Sequence, residues 1–207
     1  MYIQITTRCN FHCKHCGMSC TKKGEDMSLE TFRNAIAIAF LYDGDSISLG
    51  GGEPTLHPLF WQFLGESLSK VDSVWLATNG SQTEISIALA NLAKKGVLSV
   101  ALSQDKYHDP IDPKVIDAFK SAKPLFLTTY DGREIRNVEN NLIKAGKCKT
   151  GKIGCICEDM VIKPDGTVRG CGCDTSPIFG NINSKVTIPE DWEWGMCYKE
   201  QPTNSET

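Results

Sequence analysis

The chain has 207 residues, enough for one ordinary domain with a small appendage. Hydrophobic residues at 41% and charged residues at 23% allow a packed core and exclude wholesale disorder. A net charge of −3, with Lys and Arg scattered rather than clustered, argues against nucleic acid as the partner.

Tyr2–Thr6 (YIQIT) reads as a first strand that runs into a cysteine-bearing loop. Ser28 is placed to cap a helix through about Tyr42, with Leu29, Phe32, Ile36 and Phe40 on one face. Ser46–Leu49 is a second strand closed by Gly50-Gly51-Gly52, and Leu59, Phe60, Phe63, Leu64 and Leu68 make the next helical stripe. Val74–Ala77 is a third strand stopped by Thr78-Asn79-Gly80. Ser81 and Glu84 have capping-box spacing for the helix carrying Ile85, Ala88, Leu89 and Leu92. Leu98–Leu102 is a fourth strand. Asp112 as N-cap and Pro113 at the first helical position open a helix with Val115, Ile116 and Phe119 inward. Pro124–Thr129 is expected to be the fifth strand and Gly132–Ala145 the fifth helix.

Repeated βα units with apolar strands predict a parallel sheet covered by helices. At ~25–30 residues per unit the core holds about five units, short of the eight of a full barrel. The expected fold is therefore α/β: a partial (β/α) barrel with about five to six parallel strands and a small cysteine-rich C-terminal hairpin region. The divisions expected are a core over 1–146, an auxiliary region over 147–197 and a polar tail over 198–207. Lys163-Pro164-Asp165-Gly166-Thr167 is the hairpin turn, since Pro presets φ and Gly accepts a positive one. No apolar run approaches the ~20 residues of a membrane span, and the start of the chain lacks signal-peptide features. A cytoplasmic protein, without membrane contact, is expected.

Cysteines stand at 9, 13, 16 and 20, then not again until 148, 155, 157, 171, 173 and 197. Two dense clusters in a reducing compartment point to metal sites rather than disulfides. Cys9-x3-Cys13-x2-Cys16 follows the first strand, hence lies where α/β active sites sit. Thiolates at this spacing suit zinc or an iron–sulfur cluster. Three ligands on a four-iron cluster leave one iron open; Cys20 as a fourth ligand, or half a zinc knuckle at Cys13 and Cys16, are the competing readings.

CNFHCKHC resembles the CxxxCxφC signature of the radical S-adenosylmethionine (radical SAM) superfamily. Gly51-Gly52-Glu53-Pro54 is similar to that family's GGEP segment, Thr78-Asn79-Gly80 to its TNG, and Ser103-x-Asp105 to its ribose-contacting segment at strand four. The resemblance implies a 4Fe-4S cluster on Cys9, Cys13 and Cys16, with SAM bound through Phe11, His15, Gly51, Gly52, Glu53, Asn79, Ser103 and Asp105. Phe11 and His15 would shield the cluster and touch adenine, and the glycine segment would bind the methionine amino group. For Glu53, His57 and Asn79, cap or turn roles are the alternative. Tyr107 and His108 are candidate catalytic residues, a phenol to quench a radical and an imidazole to move a proton. A packed ring and a capping histidine are the alternative there. The family's glycine–isoleucine motif at strand five has no counterpart in Thr128-Thr129-Tyr130-Asp131-Gly132.

The late cysteines resemble the auxiliary region called SPASM, or its shortened form, twitch. Cys157 and Cys171, with Gly166-x4-Cys171 between, fit its hairpin, and Phe179-Gly180-Asn181-Ile182 its trailing segment. Cys155, Cys157, Cys171 and Cys173 are the ligands expected for a second iron–sulfur cluster, with Cys148 and Cys197 as alternates and zinc as the alternative metal. The family implies reductive cleavage of SAM to methionine and a 5′-deoxyadenosyl radical, which abstracts a hydrogen from a peptide or small-metabolite substrate. It also implies a one-electron donor such as flavodoxin or ferredoxin. The other readings are an activase for a glycyl-radical enzyme and, from a different class, a non-catalytic metal-binding module.

Overall fold

A computed structural model describes residues 1–120, 131–137, 146–148, 159–172, 176–190 and 192. The strands are β1 (Tyr2–Thr6), β2 (Ser46–Gly51), β3 (Ser73–Thr78), β4 (Ser99–Ser103) and β5 (Arg133–Arg136). Between them run α1 (Leu29–Asp43), α2 (Phe60–Leu68), α3 (Thr83–Lys94) and α4 (Pro113–Phe119). Four short strands follow: β6 (Val161–Ile162), β7 (Thr167–Arg169), β8 (Ile178–Asn181) and β9 (Lys185–Val186). Together they form one sheet in the order β5-β4-β3-β2-β1-β6-β7-β8-β9. Every neighbouring pair from β5 to β6 is parallel, and β7, β8 and β9 add antiparallel. This is the expected partial barrel of five to six parallel strands, with the hairpin continuing its sheet beside β1.

The two-residue period of the strands sorts their side chains. Ile3, Ile5, Ile47, Leu49, Val74, Leu76, Val100 and Leu102 belong to the buried core beneath the helices. Phe32 of α1 and Phe63 of α2 stack in that core with ring centres 3.9 Å apart. The opposite face carries Tyr2, Gln4, Ser48, Trp75, Ser99, Ala101 and Ser103, joined by Arg136 through its register with Ser103. That face is polar and aromatic, and its upper rim is where the strands end.

The helix starts follow their caps. The Ser28 hydroxyl accepts from Thr31 N at 3.1 Å, and Asp112 accepts from Lys114 N ahead of Pro113. In the hairpin turn Gly166 takes φ +86° and its amide donates to Lys163 O at 2.9 Å, the conformation for which glycine is suited.

Four local expectations change. Phe40 is 51% exposed, because the inward stripe of α1 runs through Phe32, Ala35, Ile36 and Ala39, leaving Phe40 turned away. Leu59 precedes α2 as its cap residue rather than joining its stripe. The Ser81–Glu84 capping box does not form: Gln82 is the cap residue, without a side-chain cap bond, and the Ser81 hydroxyl donates to Asn10 Oδ1 at 3.2 Å. Residues 133–136 are β5, not the start of a helix, because the open edge of β4 takes them as a partner. Val100 N donates to Gly132 O and Gln104 N to Arg136 O, and a Cβ on Gly132 would collide with the Leu98 carbonyl. The strand expected at 124–129 and the remainder of the expected helix after residue 137 lie outside the described residues. Among those residues no helix is long and apolar enough to cross a membrane.

Candidate cofactor site at the strand ends

The loop after β1 is held closed at its neck. Thr6 Oγ1 donates to Asp26 Oδ1 at 2.6 Å, Thr7 N to Glu25 O at 2.9 Å and Cys9 N to Thr21 O at 2.8 Å. Arg8 Nη2 pairs with Asp26 Oδ2 at 2.8 Å and donates to Leu56 O at 2.5 Å. The glycine-rich end of β2 is zipped to the same segment: Gly52 N donates to Thr6 O and Glu53 N to Arg8 O. A Cβ at Gly52 would strike the Arg8 carbonyl and come within 2.9 Å of Cys9 Cβ. The missing side chain therefore serves, first of all, the close approach of β2 to the thiol loop.

Glu53 is wholly buried, with its carboxylate turned toward the end of β3. Oε1 accepts from Thr55 Oγ1 at 2.6 Å and Thr78 Oγ1 at 2.8 Å, and Oε2 from Asn79 N at 2.6 Å. Burial pushes its pKa up and these donors oppose the shift. Glu53 thus ties β2 to β3 and sets Asn79, whose Nδ2 reaches Asn10 Oδ1 at 3.1 Å and Cys9 Sγ at 3.8 Å.

His57 is a buried structural side chain. Its Nδ1 accepts from Leu59 N and its Nε2 donates to Met27 O, each at 3.0 Å. Burial lowers its pKa, with the Met27 carbonyl and Asp26 opposing. The unfolded chain binds the proton more readily, so stability is present above the ordinary histidine pKa of about 6.5 and falls as pH drops below it. Denaturant midpoints at about pH 8 and about pH 5.5 should show this loss, and His57→Gln should flatten it. A wild-type midpoint unaffected by His57→Gln at both pH values would remove histidine from that account.

Cys9, Cys13 and Cys16 are half-buried around the loop. Burial raises Cys9 and Cys13, and the charges of Cys9 and Cys16 help push Cys13 to about 11. A hydrogen bond from the Cys20 thiol lowers Cys16 and correspondingly raises Cys20. Cys20 lies beneath the loop, only 2% exposed, facing Gln4 Nε2 at 3.8 Å and Met18 O at 3.6 Å. The three loop thiols feel one another's charge, yet they do not have single-ion spacing. Among the described residues only His15, Asp105 and His108 have ligand atoms all within 4.8 Å of one another. Tetrahedral zinc, with Zn–S near 2.3 Å, would need sulfurs about 3.8 Å apart. The donor set fits a multi-iron cluster better than one zinc ion.

The loop and the exit of β4 meet through rings. His15 lies 4.9 Å from both the Tyr107 and His108 rings, and Phe11 lies 6.4 Å from His108. Burial, then the charge of His108, lowers the His15 pKa, and its Nδ1 is buried without a hydrogen-bond partner among the described residues. The buried Asp105 side chain accepts at Oδ1 from Tyr107 N at 2.9 Å and meets His108 Nδ1 at 2.8 Å. Phe11, His15, Asp105, Tyr107 and His108 are therefore neighbours, whereas Glu53 and Asn79 meet the loop at Cys9 and Asn10. Cys148 and Cys171 are both buried, and Lys147 bonds from N to Cys16 O and from Nζ to Cys20 O. Cys155, Cys157, Cys173 and Cys197 lie outside the described residues.

One residue escaped the sequence reading. Arg136, at the end of β5, donates from Nη2 to Ser103 Oγ at 3.0 Å and stacks 5.6 Å over Trp75. Its Nε is buried without an acceptor, and among the described residues no carboxylate pairs with it. The signal lay in Arg133–Arg136 (REIR), an alternating run after an Asp-Gly turn.

The family model described as the Radical SAM superfamily matches residues 3–124. A mycofactocin maturase MftC of Mycobacterium ulcerans is 29% identical over 103 residues, 49% of this chain and 28% of that protein. A tungsten-containing aldehyde ferredoxin oxidoreductase cofactor-modifying protein of Pyrococcus furiosus is 32% identical over 108 residues, 51% of this chain and 30% of that protein. The chain thus matches under a third of the length of these curated relatives. The solved structure of native anSMEcpe with bound AdoMet aligns with TM-score 0.57 and 18% identity, over 90% of this chain and 78% of that one, and shares the fold.

Proposed function

The chain belongs to the radical SAM superfamily, and on that premise we propose that it is an enzyme that cleaves SAM reductively at a cluster held by Cys9, Cys13 and Cys16. Members of the superfamily are enzymes that use a 4Fe-4S cluster and SAM. The observation that carries the reading for this chain is the thiol loop itself: three half-buried thiols, fastened to the glycine end of β2, on a loop whose His15 meets the ring cluster at β4. When bound, the cluster and SAM supply a one-electron cleavage that yields methionine and a 5′-deoxyadenosyl radical.

The chain's own residues divide the remaining work. Backbone carbonyls at Gly51 and Gly52 are offered to the methionine ammonium, which suits a strand end without side chains. Arg136, a cation with an unmatched Nε–H, meets the methionine carboxylate. Phe11 and His15 bound the adenine, with Ser103 and the second oxygen of Asp105 toward the ribose. Asn79 holds the Cys9 end of the loop in place through Asn10. Tyr107 and His108 face the substrate side, where His108 moves a proton and Tyr107 donates a hydrogen atom.

The substrate is a peptide or small molecule that undergoes modification, in keeping with relatives named as a maturase and a cofactor-modifying protein. A flavodoxin- or ferredoxin-type protein supplies the electron, and the setting is the cytoplasm. The core over 1–146 carries the SAM chemistry, and the region over 147–197 holds a second iron–sulfur cluster. Buried Cys148 and Cys171 support that second site. Iron and sulfide should come out near eight of each per chain, falling to about four when Cys171 and Cys173 are both replaced. About four irons with one tightly held zinc would make the second site zinc. In the same reconstituted protein, SAM should change the electron paramagnetic resonance (EPR) spectrum of the reduced cluster. A spectrum indifferent to saturating SAM would sink the reading.

A further inference from the structure

Away from the thiols, one set of side chains does have the spacing of a single ion. A nitrogen of His15, a nitrogen of His108 and a carboxylate oxygen of Asp105 lie within 4.8 Å of one another. Asp105 Oδ1 and His108 Nδ1 are 2.8 Å apart. Two ligands at right angles, each about 2.1 Å from a common ion, are about 3.0 Å apart, so this pair already has the bite of a chelate. His15 completes a face: its ring stands at 76° to that of His108 with centres 4.9 Å apart, and its buried Nδ1 lacks a partner among the described residues. The Tyr107 amide, 2.9 Å from Asp105 Oδ1, fixes the carboxylate as an outer hydrogen bond fixes a metal ligand.

We infer that His15, Asp105 and His108 form a site for one divalent transition-metal ion, separate from the thiolate cluster. Two imidazoles and one carboxylate suit Mn²⁺, Fe²⁺, Co²⁺ or Zn²⁺ and leave coordination positions open. The donors are nitrogen and oxygen, so the site selects a different ion chemistry from the sulfur ligands next to it. An ion here would also clamp the thiol loop, through His15, to the exit of β4. One consequence rests on the proposed function: His15 and Asp105 are the residues assigned to adenosine, so the ion and SAM exclude one another and free metal inhibits competitively.

The test is Mn²⁺ titration of the cluster-loaded, oxidised protein under anaerobic conditions, read by the EPR signal of the free ion. Mn²⁺ prefers nitrogen and oxygen ligands to thiolates, so the cysteines do not mask the result. Wild type should bind roughly one ion, and Asp105→Asn, His108→Gln and His15→Gln should each weaken binding at least tenfold. His15 is on the loop, so its variant keeps the test informative if a change at β4 impairs folding. Asp109→Asn, a neighbouring carboxylate outside the set, should leave binding unchanged. Equal Mn²⁺ binding by wild type and the three ligand variants would overturn the site. SAM should then displace the ion. Mn²⁺ that stays bound in the presence of bound SAM would overturn the exclusion and leave the site standing. A protein that takes Mn²⁺ but does not bind SAM would instead count against the proposed function alone.

Discussion

Alanine at Cys9, Cys13 or Cys16 is expected to abolish both the iron–sulfur absorbance of the first cluster and SAM cleavage, while Cys20→Ala keeps both. Each of the three loop thiols is half-buried, whereas Cys20, Cys148 and Cys171 are buried. Cys20 is different because it sits buried under the loop, its thiol donating to Met18 O at 3.6 Å and accepting from Gln4 Nε2 at 3.8 Å. Removing it withdraws support from the Cys16 thiolate, which slows cluster insertion without deleting a ligand. Ultraviolet–visible spectra and iron analysis after anaerobic reconstitution read the outcome. If Cys20→Ala loses cluster as completely as Cys13→Ala, the loop is a closed four-thiol site and the open-iron account fails.

Arg136→Gln should weaken SAM binding to the cluster-loaded protein by about tenfold to a hundredfold, as expected for about 1.5–3 kcal/mol from a charge-assisted hydrogen bond. Among the described residues β5 is the outermost strand of the sheet, so the fold should tolerate the change. Its Nε–H has no acceptor among the described residues, and the guanidinium stacks on Trp75 and donates to Ser103 Oγ, an arrangement suited to an anion. Arg136→Lys should fall between the two, since an ammonium keeps the charge but not the planar fork. Equilibrium dialysis with labelled SAM measures all three proteins. Equal affinities would assign Arg136 to another anion, such as a carboxylate of the substrate.

The parallel core was legible because its signals are local. Alternating strands, the Ser28 and Asp112 caps and the Pro-Asp-Gly turn each act within a few residues, and each stands where expected. The pairing of β6 with β1 was not legible, since a two-residue strand carries no period and its partner lies far off in sequence. Arg136 was hidden for a related reason: its strand is defined by the open edge of β4 rather than by its own composition. In the site, residue types pointed to the thiol loop and the glycine segment, but not to what each side chain touches. Gly52 reads as room for a ligand and in the fold makes room for Arg8 and Cys9. Glu53 reads as a SAM-binding acid or a cap; it caps the turn at Pro54–Leu56 by accepting from Thr55 N and also binds the ends of β2 and β3 together. Asp105 reads as a ribose contact, and only the three-dimensional arrangement brings it against His108 and His15.

SAM cleavage at the thiol loop is measured most directly as 5′-deoxyadenosine formed by the reconstituted protein with SAM and a strong reductant. Wild type and Cys20→Ala should both produce it on anaerobic incubation, and Cys13→Ala should not. Iron bound at the loop with no 5′-deoxyadenosine from wild type would contradict the account and leave a metal-binding module in its place.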